Sequence, residues 1–251
     1  MSDRANRADT ADSSGLLLHG LHKSYGALKV TDDLSFTLGA GQALGIIGPN
    51  GAGKSTLFNL LTGVVRADSG RIVFNGVDLN RRDATARARL GICRSYQVPQ
   101  PFAQMTVFEN LLVAASFAAA LPEHRARAHC AEVLEQSGLR DKANALAGGL
   151  RLLDRKRLEL ARALAARPRL LLLDEIAGGL TDDECGQLVD IVRRVHAQGV
   201  AVIWIEHVLH VLVSFVPRLL VLNFGACLAE GPVDEVMNNP EVQRVYMGIQ
   251  T

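Results

Sequence analysis

Three glycines within six residues, followed at once by Lys-Ser-Thr, constrain this chain more than any other feature. The segment reads Gly48-Pro49-Asn50-Gly51-Ala52-Gly53-Lys54-Ser55-Thr56 and follows the apolar stretch ALGII. It satisfies the spacing GxxxxGK[ST]. A chain passing from a buried strand through such a turn into a helix can aim several backbone N–H groups at one phosphate chain, and the helix adds its positive end. Lys54 would reach the β- and γ-phosphates, and Ser55 would offer a hydroxyl to Mg²⁺. A plain glycine-rich turn is the alternative, but it has no need of the complete Gly-Lys-Ser-Thr ending between strand and helix.

A cradle specifies a phosphate binder, not a reaction. The second component is the run Leu170 to Glu175, LLLLDE, four leucines closed by two carboxylates. An aspartate ending a buried strand beside the cradle can hold Mg²⁺ through water, and the adjacent glutamate can polarise an attacking water. On their own, Asp174 and Glu175 could equally open the next helix as acidic first-turn residues. The cradle upstream favours the first reading.

The rest of the composition limits what else the chain can be. At 251 residues, 48% hydrophobic and 21% charged, it can build a core that needs neither disulfide nor metal. A net charge of +1, with Lys and Arg scattered, leaves no electrostatic footprint for nucleic acid. Cys93, Cys130, Cys185 and Cys227 form no CxxC pair and are expected to be reduced and mostly buried in a cytoplasmic protein. Residues 1–14 lack an apolar core and read as a disordered leader rather than a signal peptide. The most membrane-like stretch, Leu111 to Leu121, falls short of the roughly 20 residues a span requires.

Along the chain, short apolar segments alternate with glycine turns from Gly15 to about Asn75 and read as strands. A region rich in Ala and Leu, from about Val98 to Gly148, has helical character. Helix and strand alternate again from Leu158, with RLLLLDE and VAVIWIEH as buried strands. The tail predicts two short strands around Gly225 and a polar terminal helix spanning Asp234 to Met247. The expected fold is α/β: a parallel-sheet nucleotide-binding core with a helical insertion at about 98–157 and a C-terminal tail at about 230–251. Residues 15–251 form one catalytic unit in this reading.

These elements resemble the ABC-type ATPases over nearly the whole chain, from about Leu16 to Thr251. The resemblance implies a P-loop core with an N-terminal antiparallel β subdomain and an inserted helical subdomain. It also implies ATP and Mg²⁺ as ligands. Tyr25, in HKSYG, matches the aromatic that stacks on adenine in that family, although a plain strand residue would look the same. Gln97, in CRSYQ, matches the glutamine loop that contacts Mg²⁺ and water. His207, after VIWI, matches the histidine that contacts the γ-phosphate, and Glu175 matches the general base. IAGGLTD, Ile176 to Asp182, matches the loop that crosses the dimer interface, with Ile176 where proline is usual. Within the family the chain is most similar to ATPase subunits of branched-chain amino acid importers, through QPFAQMTVFENLLVA, IEHVLHVL and the tail AEGPVDEVMNNPEVQRVYMG. Lipopolysaccharide-export ATPases have similar tails.

One element departs from the pattern. Counting back from Ala161-Arg162-Ala163-Leu164 places the family signature LSGGQ at Leu150 to Asp154, where this chain reads LRLLD. Either the loop has shifted by about one turn, so that Gly148-Gly149 serves, or the signature is chemically altered. Leucines would crowd an approach that glycines leave open. Arg151, Arg155, Lys156 and Arg157 cluster at the start of the same helix, either solvated or facing a phosphate.

The resemblance implies a Mg²⁺-dependent ATPase on the cytoplasmic face of the inner membrane. Its implied partners are integral membrane permease subunits, a second ABC ATPase subunit and, indirectly, an extracytoplasmic solute-binding protein. A DNA-repair or translation ABC protein would be expected to carry a long coiled coil or two fused halves, which this chain lacks. A regulatory subunit with a dead site is opposed by Glu175 and His207 for this chain's own half-site, while the altered signature leaves that alternative open for the other.

Overall fold

The computed structural model describes residues 15–246. The expected leader and the last residues of the tail lie outside that range. The first two strands, β1 (Gly15–Tyr25) and β2 (Leu28–Gly39), form an antiparallel hairpin. Its buried residues pair across the strands as Leu16 with Leu38, Leu18 with Phe36 and Leu21 with Leu34. Apolar residues two apart fall on one face of a pleated strand, so this pattern closes one side of the hairpin against a core. After β3 (Ala43–Ile47) and α1 (Lys54–Thr62), β4 (Ser69–Phe74) and β5 (Val77–Asp78) complete a sheet in the order β2-β1-β4-β5.

A short helix α2 (Ala84–Arg89) leads to β6 (Ile92–Ser95), then helices α3 (Val107–Phe117), α4 (Glu123–Gln136) and α5 (Leu152–Ala165). The chain returns through β7 (Leu170–Asp174), α6 (Asp182–Ala197), β8 (Ala201–Ile205), α7 (Leu209–Val213), β9 (Arg218–Asn223) and β10 (Ala226–Pro232). The second sheet runs β10-β9-β3-β8-β7-β6, parallel except for β10 at its edge. Every residue of β3, β7 and β8 is buried, as expected for strands covered on both faces. One core cluster lies between the two sheets and α1; the other lies beneath α3, α5 and α6.

The helical region begins later than the sequence predicts. Residues 98–106 form a loop containing Pro99 and Pro101, and α3 starts only at Val107. A capping box marks that start: the Thr106 side chain takes the Glu109 N–H, and Glu109 takes the Thr106 N–H. Asn110, fully buried, fixes the loop by accepting from Phe102 N at 2.8 Å and donating to Thr106 O at 2.9 Å. The expected single terminal helix is instead two, α8 (Val233–Met237) and α9 (Pro240–Tyr246). Pro240 has no N–H to donate and disfavours a helical residue before it, so the helix restarts there. Among the described residues no helix is long and apolar enough to cross a membrane.

Candidate active site

Sheet register assembles the site. Asp174 sits opposite Ile205, Ile205 opposite Ile46, and Ser95 opposite Leu173, so the carboxyl ends of β6, β7, β8 and β3 lie side by side. The segments leaving those ends carry Gln97, Glu175, His207 and the glycine-rich cradle. In open parallel sheets this is where ligands bind.

The cradle is built for close approach. Gly53 caps α1 in a left-handed conformation, φ +99°, and offers no side-chain hydrogen bond to the helix N–H groups. Those N–H groups and the positive helix end therefore remain open to an anion. A Cβ on Gly53 would lie 2.2 Å from the Val30 carbonyl oxygen of β2, so the hairpin backbone closes one wall. Gly51, φ +82°, has nothing within 4 Å on its open side. Lys54 is nearly buried and donates to Gly48 O at 2.7 Å and Pro49 O at 3.0 Å. Burial lowers its pKa, while Glu175 and Asp174 oppose that shift. The carboxylates and the cradle lysine thus share one electrostatic neighbourhood.

Glu175 is the centre of the arrangement. Its carboxylate accepts from Gln97 Nε2 and pairs with His207 Nε2 at 2.7 Å. Its backbone has φ +48°, uncommon for a glutamate, and its N–H is tied to Ile205 O at 2.8 Å. The structure therefore brings Gln97, Glu175 and His207 into direct contact beside Lys54. Ser55 is exposed and Thr56 half-buried in the first turn of α1. Asp174 is also at the site, but its carboxylate pairs with Arg94 at 2.5 Å, both side chains being 7% exposed. Tyr25 is half exposed at the end of β1, with the Lys23 ammonium 5.4 Å from its ring centre.

Sequence reasoning gave no site role to Arg94 or Glu206 and a different one to Lys156. Arg94 reaches Asp174 and Asn59 and lies over the Phe58 and Tyr96 rings. Its place three residues before Gln97, in CRSYQ, was the available signal. Glu206 is 1% exposed and accepts from three backbone N–H groups, those of Ala177, His207 and Val208. Lys156 is 5% exposed and donates to Gln97 O at 2.8 Å and Glu175 O at 3.3 Å. It was expected to be solvated or to face a phosphate; it is not solvated, and its ammonium bonds to those two carbonyls. Arg155 likewise turns back onto Leu150 O at 2.7 Å, and Arg157 engages Gln187, so only Arg151 of the basic cluster has no hydrogen bond or ion pair among the described residues. These side chains satisfy carbonyls and partners that the fold brings to them, which sequence spacing does not reveal.

The altered signature forms the start of α5. Leu150 is buried and Arg151 caps the helix without a side-chain hydrogen bond. Leu152 is 47% exposed and approaches Gly179, while Asp154 is buried against Lys142 and Arg157. Gly148 and Gly149 lie in a separate 3₁₀ turn, with Gly148 N bound to Ala103 O at 3.0 Å. A cleft of about 730 Å³, lined in part by Arg89, His129, Arg167 and Arg169, lies at the amino ends of β6, β7 and β8, and none of the expected site residues lines it. A groove of about 260 Å³, lined by Val64, Tyr96, Ala114 and Arg162 among others, opens between α2, α3 and α5.

Residues 31–178 match the family model described as ABC transporter, so the chain belongs to the ABC transporter ATPase family. Residues 226–249 match the model of the branched-chain amino acid ATP-binding cassette transporter. A probable ABC transporter ATP-binding protein of Azorhizobium caulinodans is 36% identical, over 95% of this chain and 84% of its own length. The lipopolysaccharide export system ATP-binding protein of Haemophilus influenzae is 35% identical, over 94% and 98%. The high-affinity branched-chain amino acid transport ATP-binding protein of Pseudomonas aeruginosa is also 35% identical, over 93% and 97%. Among solved structures, an ATP-binding cassette in its ADP conformation superposes with a TM-score of 0.85 at 30% identity, covering 94% of this chain and 99% of the other.

Proposed function

We propose that the chain is the ATP-hydrolysing subunit of an importer for branched-chain amino acids or similar small solutes. The observation that carries the catalytic part is Glu175, held by Gln97 and His207 beside the Lys54 cradle. In this reading Gly48, Pro49, Asn50, Gly51, Ala52 and Gly53 wrap the phosphates, Lys54 and Thr56 bind them, and Tyr25 stacks on the base. Glu175 takes the proton of the attacking water, while His207 and Gln97 orient it and sense the γ-phosphate. Among the described residues no three His, Cys, Asp or Glu side chains are grouped to hold a metal. In this reading a Mg²⁺ ion would be held by Ser55, Asp174 and Gln97 together with phosphate oxygens and water, the arrangement this hard cation favours. When bound, it would neutralise charge developing on the phosphates. Asp174 would first have to share or release Arg94.

The import reading is supported by the match of residues 226–249 and by the relative in Pseudomonas aeruginosa. A lipopolysaccharide-export role is the second reading, favoured by a relative of equal identity. The groove beside Tyr96, with exposed Val98 and Phe102 in the loop before α3 and Phe117 at its end, would receive a permease subunit at the cytoplasmic membrane face. Two ATPase subunits would pack head to tail. Because Arg151, Leu152 and Leu153 replace the serine and glycines, the favoured partner is a different subunit with an intact signature.

Glu175→Gln tests the assignment. An amide cannot accept the water's proton, so ATP binding should persist while turnover falls about 10²- to 10⁴-fold. Turnover near wild type in the assembled complex would remove Glu175 as the base.

A further inference from the structure

Glu175 sits in the left-handed region at φ +48°, a conformation a non-glycine residue keeps only where its surroundings over-determine it. Two buried charges outside the reacting set bond to the main chain around it. Lys156, from the second turn of α5, places its ammonium on the carbonyl oxygens of Gln97 and Glu175. These are the two residues whose side chains meet in the site. Glu206, directly after β8, accepts Ala177 N at 2.7 Å, His207 N at 3.0 Å and Val208 N at 3.4 Å. Ala177 lies two residues beyond Glu175, and His207 is the residue paired with the Glu175 carboxylate. The backbone around Glu175 is therefore gripped on one side by a cation at carbonyls and on the other by an anion at N–H groups.

We propose that Lys156 and Glu206 are paired positioning residues, a buried clamp that acts on main-chain atoms to hold Gln97, Glu175 and His207 in register. The proposal rests on the hydrolytic reading of Glu175. Neither residue belongs to the phosphate cradle, and neither contacts Lys54 by hydrogen bond or ion pair among the described residues. The two charges are coupled at a distance through the effect of Glu206 on Lys156. Burial is the main influence on both: it lowers the Lys156 pKa and raises that of Glu206, and the Glu206 charge in turn favours the Lys156 ammonium. Burying a charge is costly unless it is compensated and hydrogen-bonded, and here both conditions are met by the loops that carry the chemistry. Lys156 also links levels of the fold. It stands on the helix whose first residues are the altered signature and which packs against α3 and α4, so displacement of the helical region would pull on Gln97 and Glu175 together.

The test is Lys156→Met and Lys156→Arg in the full-length chain, assayed with ATP. The clamp requires kcat to fall at least tenfold in Lys156→Met, with nucleotide affinity and KM unchanged within twofold, because the cradle is untouched. Lys156→Arg retains a cation and should recover a substantial part of the loss. A folded Lys156→Met variant with a lower melting temperature but wild-type kcat overturns the proposal, as does a loss shared equally between kcat and KM. Hydrogen exchange on the wild-type chain is the independent arm, and it decides even if the variant fails to fold. The Ala177 and His207 amides should exchange as slowly as amides of β7; exchange at exposed-loop rates refutes the clamp. If the wild-type chain neither binds nor hydrolyses ATP, the hydrolytic reading fails, and the exchange result still judges the clamp by itself.

Discussion

Substituting alanine at two cradle glycines separates what backbone conformation demands from what close approach demands. Gly51 and Gly53 both have positive φ, +82° and +99°. An L-residue there costs about 1–2 kcal/mol at either position. At Gly51 nothing lies within 4 Å of an added Cβ, so the cost ends there. At Gly53 the same atom would meet Val30 O at 2.2 Å, far inside any real contact, and that atom belongs to the backbone of β2, paired with β1. Relieving the overlap requires the hairpin or the cradle to move, adding about 1–3 kcal/mol by analogy with overpacked cores. Gly53→Ala should therefore cost about 2–5 kcal/mol in all, shared between fold stability and ATP binding and equivalent to roughly 30- to 4,000-fold if it fell wholly on affinity, whereas Gly51→Ala should cost roughly 5- to 30-fold on the same basis. Calorimetric titration with a non-hydrolysable ATP analogue, alongside thermal melts, divides the loss between binding and stability. If Gly53→Ala is no worse than Gly51→Ala in affinity and melting combined, the wall formed by Val30 does not shape the cradle.

Two further outcomes follow from the signature and the thiols. In a complex of this chain with a second ATPase subunit of intact signature, Glu175→Gln should damage turnover more than the equivalent change in the partner. Replacing Arg151, Leu152 and Leu153 by Ser, Gly and Gly should leave the main site nearly unaffected, and equal loss from either glutamate change would refute the asymmetry. Burial pushes the Cys93 thiol up to about 12, above its unfolded value, so its stabilising contribution is complete below about pH 8.5 and is lost as pH rises toward 12. Urea unfolding should show the wild type losing about 2 kcal/mol more than Cys93→Ala between pH 8 and pH 10, and parallel pH slopes would contradict this.

The sequence alone determined the elements whose pattern is local. GxxxxGKST after ALGII marks a strand, a phosphate turn and a helix, because only that succession needs glycines and lysine at those positions. Four leucines before Asp174 mark a strand buried on both faces, and the tail marks a family. Local pattern also singled out Glu175, and the family resemblance singled out Gln97 and His207, but neither revealed their mutual contact, which depends on the order β3-β8-β7-β6 aligning strand ends far apart in the chain. Pro240 is visible in the sequence, and its missing N–H is the local reason the terminal helix divides there. The buried partners of Arg94, Lys156 and Glu206 became visible only in three dimensions. A buried charge is defined by the groups that compensate it, and those groups come from β7, the Gln97 loop and the turn after Glu175. Their sequence neighbours, a basic helix start and a glutamate before a histidine, look the same whether solvated or buried; packing decided which they are.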